Sequence, residues 1–122
     1  MINRFDHIVL TVSDVEASVA FFTRVLLMTE ETFAEGRKAV HFGTQKINLQ
    51  ALGEETRNNA ATGSGDLCLI TDWPIDRVIA HLRAEEVEIL EGPVQKSGAK
   101  GPIMSVYFTD PDGNLIEVSR YD

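Results

Sequence analysis

The sequence predicts an α+β protein of two tandem βαβββ modules, which form a curved mixed sheet with helices on its outer face. Both halves begin with a short apolar strand that leads at once into an apolar helical stripe. Their segments can also be laid together, HIVLTVSD beside DLCLITD and VHFGTQKINLQ beside VYFTDPDGNLIEV. At 122 residues the chain has the length of one domain. We place module 1 at about 4–52, a polar linker at about 53–65 and module 2 at about 66–121.

Module 1 opens with a strand at Phe5–Val12, where β-branched residues alternate with others. Ser13 or Asp14 can cap the helix that follows over residues 15–26. Glycine-containing turns, typical of an antiparallel meander, separate the next strands. These three strands are predicted at Met28–Phe33, Lys38–Phe42 and Lys46–Leu52.

Module 2 repeats this order. A strand at Leu67–Thr71 precedes a helix opened by Trp73 and Pro74, since proline is tolerated in the first helical turn. A long loop, GPVQKSGAKGP at 92–102, and an Asp-Pro-Asp-Gly turn at 110–113 are also expected. The remaining strands are predicted at Val87–Leu90, Ile103–Thr109 and Asn114–Arg120.

Composition excludes several classes of partner. The net charge of −8 comes from scattered acids, which argues against binding to nucleic acid or to an anionic membrane surface. No stretch approaches the roughly 20 apolar residues of a membrane span, and the N-terminus lacks the layout of a signal peptide. A single cysteine, Cys68, fits a reducing compartment. We therefore expect a cytoplasmic protein whose partner is a small molecule.

One glutamate interrupts an apolar strand, because Glu117 lies between Ile116 and Val118. Side chains of a strand alternate between its two faces, so Glu117 belongs on the face opposite these aliphatic residues. The same alternation on three other strands places a polar group on that face. The predicted polar set is His7, Gln50, Asp66 and Glu117, with Asn48 on the same face as Gln50.

The chain resembles the vicinal oxygen chelate superfamily in three features. These are the tandem layout, the stretch DHIVLTVSDVEASVAFF at 6–22 and the stretch YFTDPDGNLIEVS at 107–119. That group includes glyoxalase I, fosfomycin-resistance enzymes, methylmalonyl-CoA epimerase, extradiol dioxygenases and bleomycin-resistance proteins. Within this superfamily the chain is similar to the subgroup of glyoxalase domain-containing protein 5 and its bacterial virulence-protein relatives. The similarity lies in the stretches RKAVHFGTQKINL and GAKGPIMSVYFTDPDGNLIEVS. The resemblance covers essentially the whole chain and implies a single glyoxalase-like domain.

The resemblance also implies a divalent metal ion, held on the first, fourth, fifth and eighth strands. These positions fall on His7, Gln50, Asp66 and Glu117. His7 and Glu117 match the family pattern, whereas Gln50 stands where His or Glu is more usual and Asp66 where His is usual. Such an oxygen-rich set suits Mn²⁺, Mg²⁺ or Ca²⁺ better than Zn²⁺, while Ni²⁺, Co²⁺ and Fe²⁺ stay open.

The function implied is that of a metal-dependent lyase or isomerase acting on a small anionic substrate with adjacent oxygens. Glu117 would be both metal ligand and catalytic base. Asn48, Arg37 and Lys100 are the candidate substrate-binding residues. The alternatives are a metal-free binding protein of bleomycin-resistance type and a ring-cleaving dioxygenase, for which the chain lacks a second histidine at a ligand position. Relatives imply a homodimer.

Each candidate also has a purely structural interpretation. His7 fits a buried strand histidine bonded to a carbonyl, Glu117 fits an exposed strand residue, and Asp66 fits a cap beside Gly65. Arg37 fits a solvated turn residue. Lys100 fits a mobile surface loop.

Overall fold

The computed structural model describes residues 1–122, which form two compact units, Met1–Ser64 and Gly65–Asp122. Each unit contains one strand, one helix and three further strands, so the predicted tandem order is confirmed. No helix is both long enough and apolar enough to cross a membrane. The first unit comprises β1 (His7–Val12), α1 (Val15–Val25), β2 (Thr29–Phe33), β3 (Arg37–Phe42) and β4 (Gln45–Ala51). The second comprises β5 (Asp66–Ile70), α2 (Ile75–Ala84), β6 (Glu91–Gly98), β7 (Gly101–Thr109) and β8 (Leu115–Tyr121).

Each unit builds its own four-stranded mixed sheet. The strand order is β1-β4-β3-β2 in the first unit and β5-β8-β7-β6 in the second. In each sheet the first strand runs parallel to the last strand of its unit, and the other pairs are antiparallel. The first and last strands of each module are therefore neighbours, which brings their side chains together.

Helix α1 packs on one face of the first sheet. Asp14 caps it by accepting a hydrogen bond from the backbone nitrogen of Ala17 at 3.1 Å, so Asp14 rather than Ser13 is the cap. The buried residues of α1 include Val19 and Phe22, and Phe22 has no exposed surface. Helix α2 begins after Pro74 without a side-chain cap. Burying these apolar stripes leaves the opposite face of each sheet to polar side chains.

The strand predicted at Val87–Leu90 is wrong, because no strand forms there and β6 lies in the predicted loop. β6 is the outer strand of its sheet, where proline costs no hydrogen bond between strands. The register shifts between Glu91 and Val94, which accommodates Gly92 and Pro93. A Cβ atom built on Gly98 would lie 2.5 Å from Tyr121 Oη, so this glycine serves close packing.

The turn between β7 and β8 is held by a buried carboxylate. Asp110 accepts hydrogen bonds from the backbone nitrogens of Asp112 and Asn114 and from the side-chain amide of Asn114, at 2.7–3.0 Å. Asn114 Oδ1 in turn accepts from the backbone nitrogen of Gly65 at 2.7 Å. Asn114 thus ties the residue before β5 to the turn before β8, and this network is structural.

Candidate functional site

The carboxylate of Glu117 lies within a group of hydroxyl-bearing side chains on the second sheet. The strand register pairs Glu117 with Cys68 on one side and with Tyr107 on the other. Ser105 Oγ donates to Glu117 Oε2 at 2.6 Å, and Ser119 Oγ donates to the same oxygen at 3.2 Å. Both serines have no exposed surface. Two buried hydroxyls therefore fix the orientation of this carboxylate.

The short contacts in this group form a chain with one direction. Cys68 Sγ lies 3.3 Å from Ser119 Oγ, and Ser119 Oγ lies 2.7 Å from Ser105 Oγ. Each thiol or hydroxyl has a single hydrogen to donate. Cys68 can donate to Ser119 and Ser105 donates to Glu117, while the single hydrogen of Ser119 is shared between Glu117 Oε2 and Ser105 Oγ. Glu117 is then the terminal acceptor of the group.

Two neighbours of Glu117 hold their protons more firmly than usual. Cys68 is exposed as a residue, but partial burial of its thiol raises its pKa, and the charge of Glu117 adds to this. Burial raises the pKa of Tyr107 to about 12, with a further contribution from its hydrogen bond to Glu117. Cys68 is therefore a packing and donor residue rather than a thiolate nucleophile. Tyr107 stays a neutral phenol at physiological pH.

We expect an alkaline absorbance titration to show a phenol ionising near pH 12, and Tyr107→Phe to remove that signal. The unfolded chain releases this proton near pH 10.0, whereas the folded chain holds it until about 12. Its contribution to stability is therefore complete below pH 10 and is lost as the pH rises through 12. Urea unfolding of wild type and Tyr107→Phe across this pH range checks the direction in which stability changes with pH. A Tyr107 signal centred at pH 10 would contradict the expectation.

His7 lies on the first sheet with only one ring nitrogen uncommitted to protein. Its Nδ1 is 2.8 Å from Asp6 Oδ2, which leaves Nε2 for a ligand. The hydrogen bond to His7 lowers the pKa of Asp6. A carboxylate on one imidazole nitrogen orients the ring and favours coordination through the other nitrogen. Nothing buries His7, so the structural alternative of a buried strand histidine is wrong.

Gln50 faces the same side of the sheet as His7 but lies far along it. His7 pairs with Lys46, and Gln50 pairs with Thr11, four residues further on, a separation of about 13 Å. The Gln50 side-chain nitrogen donates to Thr11 Oγ1 at 3.1 Å. The structure therefore does not bring Gln50 next to His7.

Asn48 lies nearer to His7 than Gln50 does, because it pairs with Val9, one diagonal step from His7. Asn48 is 5% exposed, and its Oδ1 has no hydrogen-bond partner. A buried acceptor without a partner costs about 1–3 kcal/mol, which a ligand that donates a hydrogen bond or a cation would offset. Of the predicted substrate-binding residues, Asn48 has the most direct structural support.

Strand alternation also places Lys46 on the His7 face, although Lys46 is not among the residues predicted from the sequence. Lys46 Nζ lies 3.7 Å from the centroid of the Phe33 ring and 3.4 Å from Glu31 Oε2. The guanidinium of Arg37 lies 5.0 Å from the same ring. His41 Nε2 lies 2.8 Å from Glu31 Oε2. The positively charged groups of Lys46 and Arg37 therefore both lie over one aromatic ring on this face.

Asp66 lies beside Glu117 on the second sheet, whereas Lys100 lies in a turn of the same unit. Asp66 pairs with Leu115, one diagonal step from Glu117 and on the same face, and it is exposed. Lys100 lies in the tight turn between β6 and β7, where its backbone nitrogen donates to Tyr121 Oη at 3.0 Å. Lys100 therefore lies in a short hairpin turn between two strands rather than in a long loop.

The four predicted metal ligands are divided between the units, His7 and Gln50 in the first and Asp66 and Glu117 in the second. The structure contains no cluster of three or more His, Cys, Asp or Glu side chains placed to hold a metal ion. Within each unit the donor types are ones that a hard divalent ion accepts. The first unit offers His7 Nε2 and the unpartnered Asn48 Oδ1, and the second offers two carboxylates on one face of its sheet.

Comparisons with known proteins agree with this fold. A family profile described as "Glyoxalase/Bleomycin resistance protein/Dioxygenase superfamily" matches residues 4–118. Virulence protein STM3117 of Salmonella typhimurium is 48% identical over an alignment of 124 positions, which covers 99% of this chain and 86% of that protein. Glyoxalase domain-containing protein RDO1 of Mycosarcoma maydis is 43% identical over 98% of this chain and 69% of its own length.

A more distant relative is the metallothiol transferase FosB of Shouchella clausii, 26% identical over 97% of this chain and 80% of that protein. Among solved structures, an integron cassette protein from the mobile metagenome of V. cholerae has a TM-score of 0.96 at 48% identity. That likeness covers 100% of this chain and 98% of the other. The chain belongs to the glyoxalase/bleomycin resistance protein/dioxygenase superfamily.

Proposed function

We propose that the chain is a metal-dependent lyase or isomerase of glyoxalase type, acting on a small anionic substrate with adjacent oxygens. The observation that carries this proposal is the Glu117 carboxylate, which two fully buried hydroxyls orient on the polar face of its sheet. The superfamily of this chain includes a relative named as a metallothiol transferase.

The family resemblance assigns the ion to His7, Gln50, Asp66 and Glu117. Within the second unit Asp66 and Glu117 share one face, and within the first unit Asn48 lies nearer to His7 than Gln50 does. A bound divalent ion polarises the adjacent oxygens of a substrate. The Glu117 carboxylate takes the proton from substrate, and the Ser105 hydroxyl on Oε2 keeps the carboxylate from rotating during that transfer. Asp6 keeps the His7 ring oriented through Nδ1.

Metal binding is the first test of the proposed function. We expect chelator-free protein to contain divalent metal, and at least one of Mn²⁺, Ni²⁺, Co²⁺, Zn²⁺ and Mg²⁺ to raise the melting temperature. An ion at 100 times its Kd stabilises the folded chain by about 2.7 kcal/mol. The shift should disappear in His7→Ala/Glu117→Gln, because the best-matched ligands of the two sheets are removed. Elemental analysis and thermal shift measure both quantities.

The matched control is His81→Ala, which removes a histidine on α2 that packs edge-on against Trp73. Its own melting temperature is expected to change, but its metal-induced shift should equal that of wild type. The proposal is wrong if no ion stabilises wild type more than His7→Ala/Glu117→Gln.

The second candidate function is metal-free binding of a small molecule. It is favoured by Lys46, whose side chain is on the His7 face and directly across from His7, because a fixed positive charge beside an imidazole disfavours a divalent cation. His7→Ala would then weaken ligand binding only modestly. Ring-cleaving dioxygenase chemistry has less support, since His41, the other histidine on this face, is already paired with Glu31.

A further inference from the structure

The polar face of the first sheet carries an acceptor and a cation that the proposed metal chemistry does not use together. Asn48 and Lys46 lie two residues apart on β4, so their side chains point to the same face. Asn48 is 5% exposed and its Oδ1 has no partner. The Lys46 side chain is 19% exposed, and its ammonium is held in place against the Phe33 ring.

These groups define the chemistry of a ligand. An ammonium has three hydrogens to donate, and Glu31 takes only a long contact of 3.4 Å from Lys46. The amide oxygen of Asn48 can only accept, so it needs a ligand hydroxyl or N–H. The guanidinium of Arg37 adds positive charge near the same Phe33 ring. A matching ligand is an anion that also carries a hydrogen-bond donor.

The neighbours of Asn48 across the sheet do not satisfy its amide oxygen. The neighbours of Asn48 across the sheet are Val9 on β1 and Ala39 on β3, and neither offers a hydrogen-bonding side chain. The negative groups on this face are Glu31, bound to His41 and Lys46, and Asp6, bound to His7. Lys46 is itself a partner of Glu31 at 3.4 Å, so an incoming anion competes with Glu31 for its ammonium, and Arg37 adds a second positive charge near the Phe33 ring.

We propose that Lys46, Asn48 and Arg37 form a subsite for a small hydroxycarboxylate, here named the Lys46–Asn48 subsite. The carboxylate of the ligand lies against Lys46, with Arg37 adding to the attraction, and its hydroxyl donates to Asn48 Oδ1. This deepens the proposed function and rests on it for the anionic nature of the substrate. The recognition itself requires neither a metal ion nor Glu117.

The test compares glycolate with acetate, which differ by one hydroxyl group, in nuclear magnetic resonance titrations of the metal-free protein with chelator present. We expect glycolate to bind wild type about 3- to 10-fold more tightly than acetate, the contribution of one uncharged hydrogen bond. Asn48→Leu should abolish this preference while acetate affinity stays within about two-fold. Lys46→Met should weaken both ligands by about 10-fold or more, and Lys46→Arg should restore most of the loss.

The matched control is Lys38→Met. Lys38 is also paired with a glutamate, with Nζ 2.8 Å from Glu30 Oε2, but its partner in the register is Leu49, which places it on the opposite face of the same sheet. Lys38→Met should leave glycolate affinity within about two-fold of wild type.

Three results would overturn the subsite. They are no glycolate binding to wild type, equal losses in Lys46→Met and Lys38→Met, or a glycolate preference that survives in Asn48→Leu. Should Asn48→Leu fail to fold, the Lys46 and Lys38 variants still decide. Metal-induced thermal shifts of wild type separate the two proposals. Wild type that binds glycolate with the Lys46 effect but binds no metal ion removes the metal-dependent function alone. Wild type that binds metal with no Lys46 effect removes the subsite alone.

Discussion

Replacing Phe108 by alanine is expected to lower the free energy of unfolding by about 3–5 kcal/mol. Phe108 lies on β7 with no exposed surface and pairs with Ile116 on β8. Both side chains belong to the face on which α2 packs, where Leu82 is also buried. Removing the ring loses its transfer free energy and leaves a cavity that neighbouring strands cannot fill. Urea unfolding followed by circular dichroism measures the loss.

Phe5 provides the control for Phe108, because Phe5 is 75% exposed in the segment before β1. Phe5→Ala should change the unfolding free energy by less than about 0.5 kcal/mol. Equal effects of the two substitutions would show that the second sheet does not depend on the packing described.

Replacing Asn114 by alanine is expected to cost about 2–4 kcal/mol, because two buried groups lose their partners. The backbone nitrogen of Gly65 loses its acceptor, and the Asp110 carboxylate loses a donor at 2.7 Å. Asn114 is 1% exposed, so water does not readily replace these bonds. The same urea unfolding experiment measures the change.

Asn59→Ala is the comparison for Asn114→Ala, since Asn59 is an exposed asparagine in the segment between β4 and β5. It should leave stability nearly unchanged. A loss below about 1 kcal/mol for Asn114→Ala would mean that the turn network is weaker than its geometry indicates.

Much of the fold could be predicted from the sequence because strand side chains repeat with a period of two. That period placed Ile8 and Leu10 on one face and His7 on the other, and the structure confirms this alternation. It failed at β6, where glycine, proline and lysine are typical of a loop. An outer strand tolerates these residues because one of its edges makes no hydrogen bonds between strands, and a sequence does not reveal which strand is outermost.

The candidate site was less predictable because it depends on register between strands. Alternation selected Glu117 correctly as a polar strand residue, but its partner Ser105 is 12 residues away and meets it only through the pairing of β7 with β8. The choice of Gln50 rather than Asn48 as a predicted metal ligand also depends on register. The parallel register of β1 and β4 decides which amide lies nearer to His7, and no turn joins those strands to fix it.

The irregularity of β6 also affects how the molecule meets other polypeptides. An outer strand is a template for intermolecular pairing unless proline, charge or a bulge interrupts it. β6 has Pro93, a register shift and Lys96, while β2, the outer strand of the other sheet, has Glu30 and Glu31. The remaining outer strands, β1 and β5, carry neither proline nor lysine. Proline, charge and the register shift therefore protect β6, and glutamates protect β2, against pairing with strands of other molecules, in ordered assembly or in aggregation.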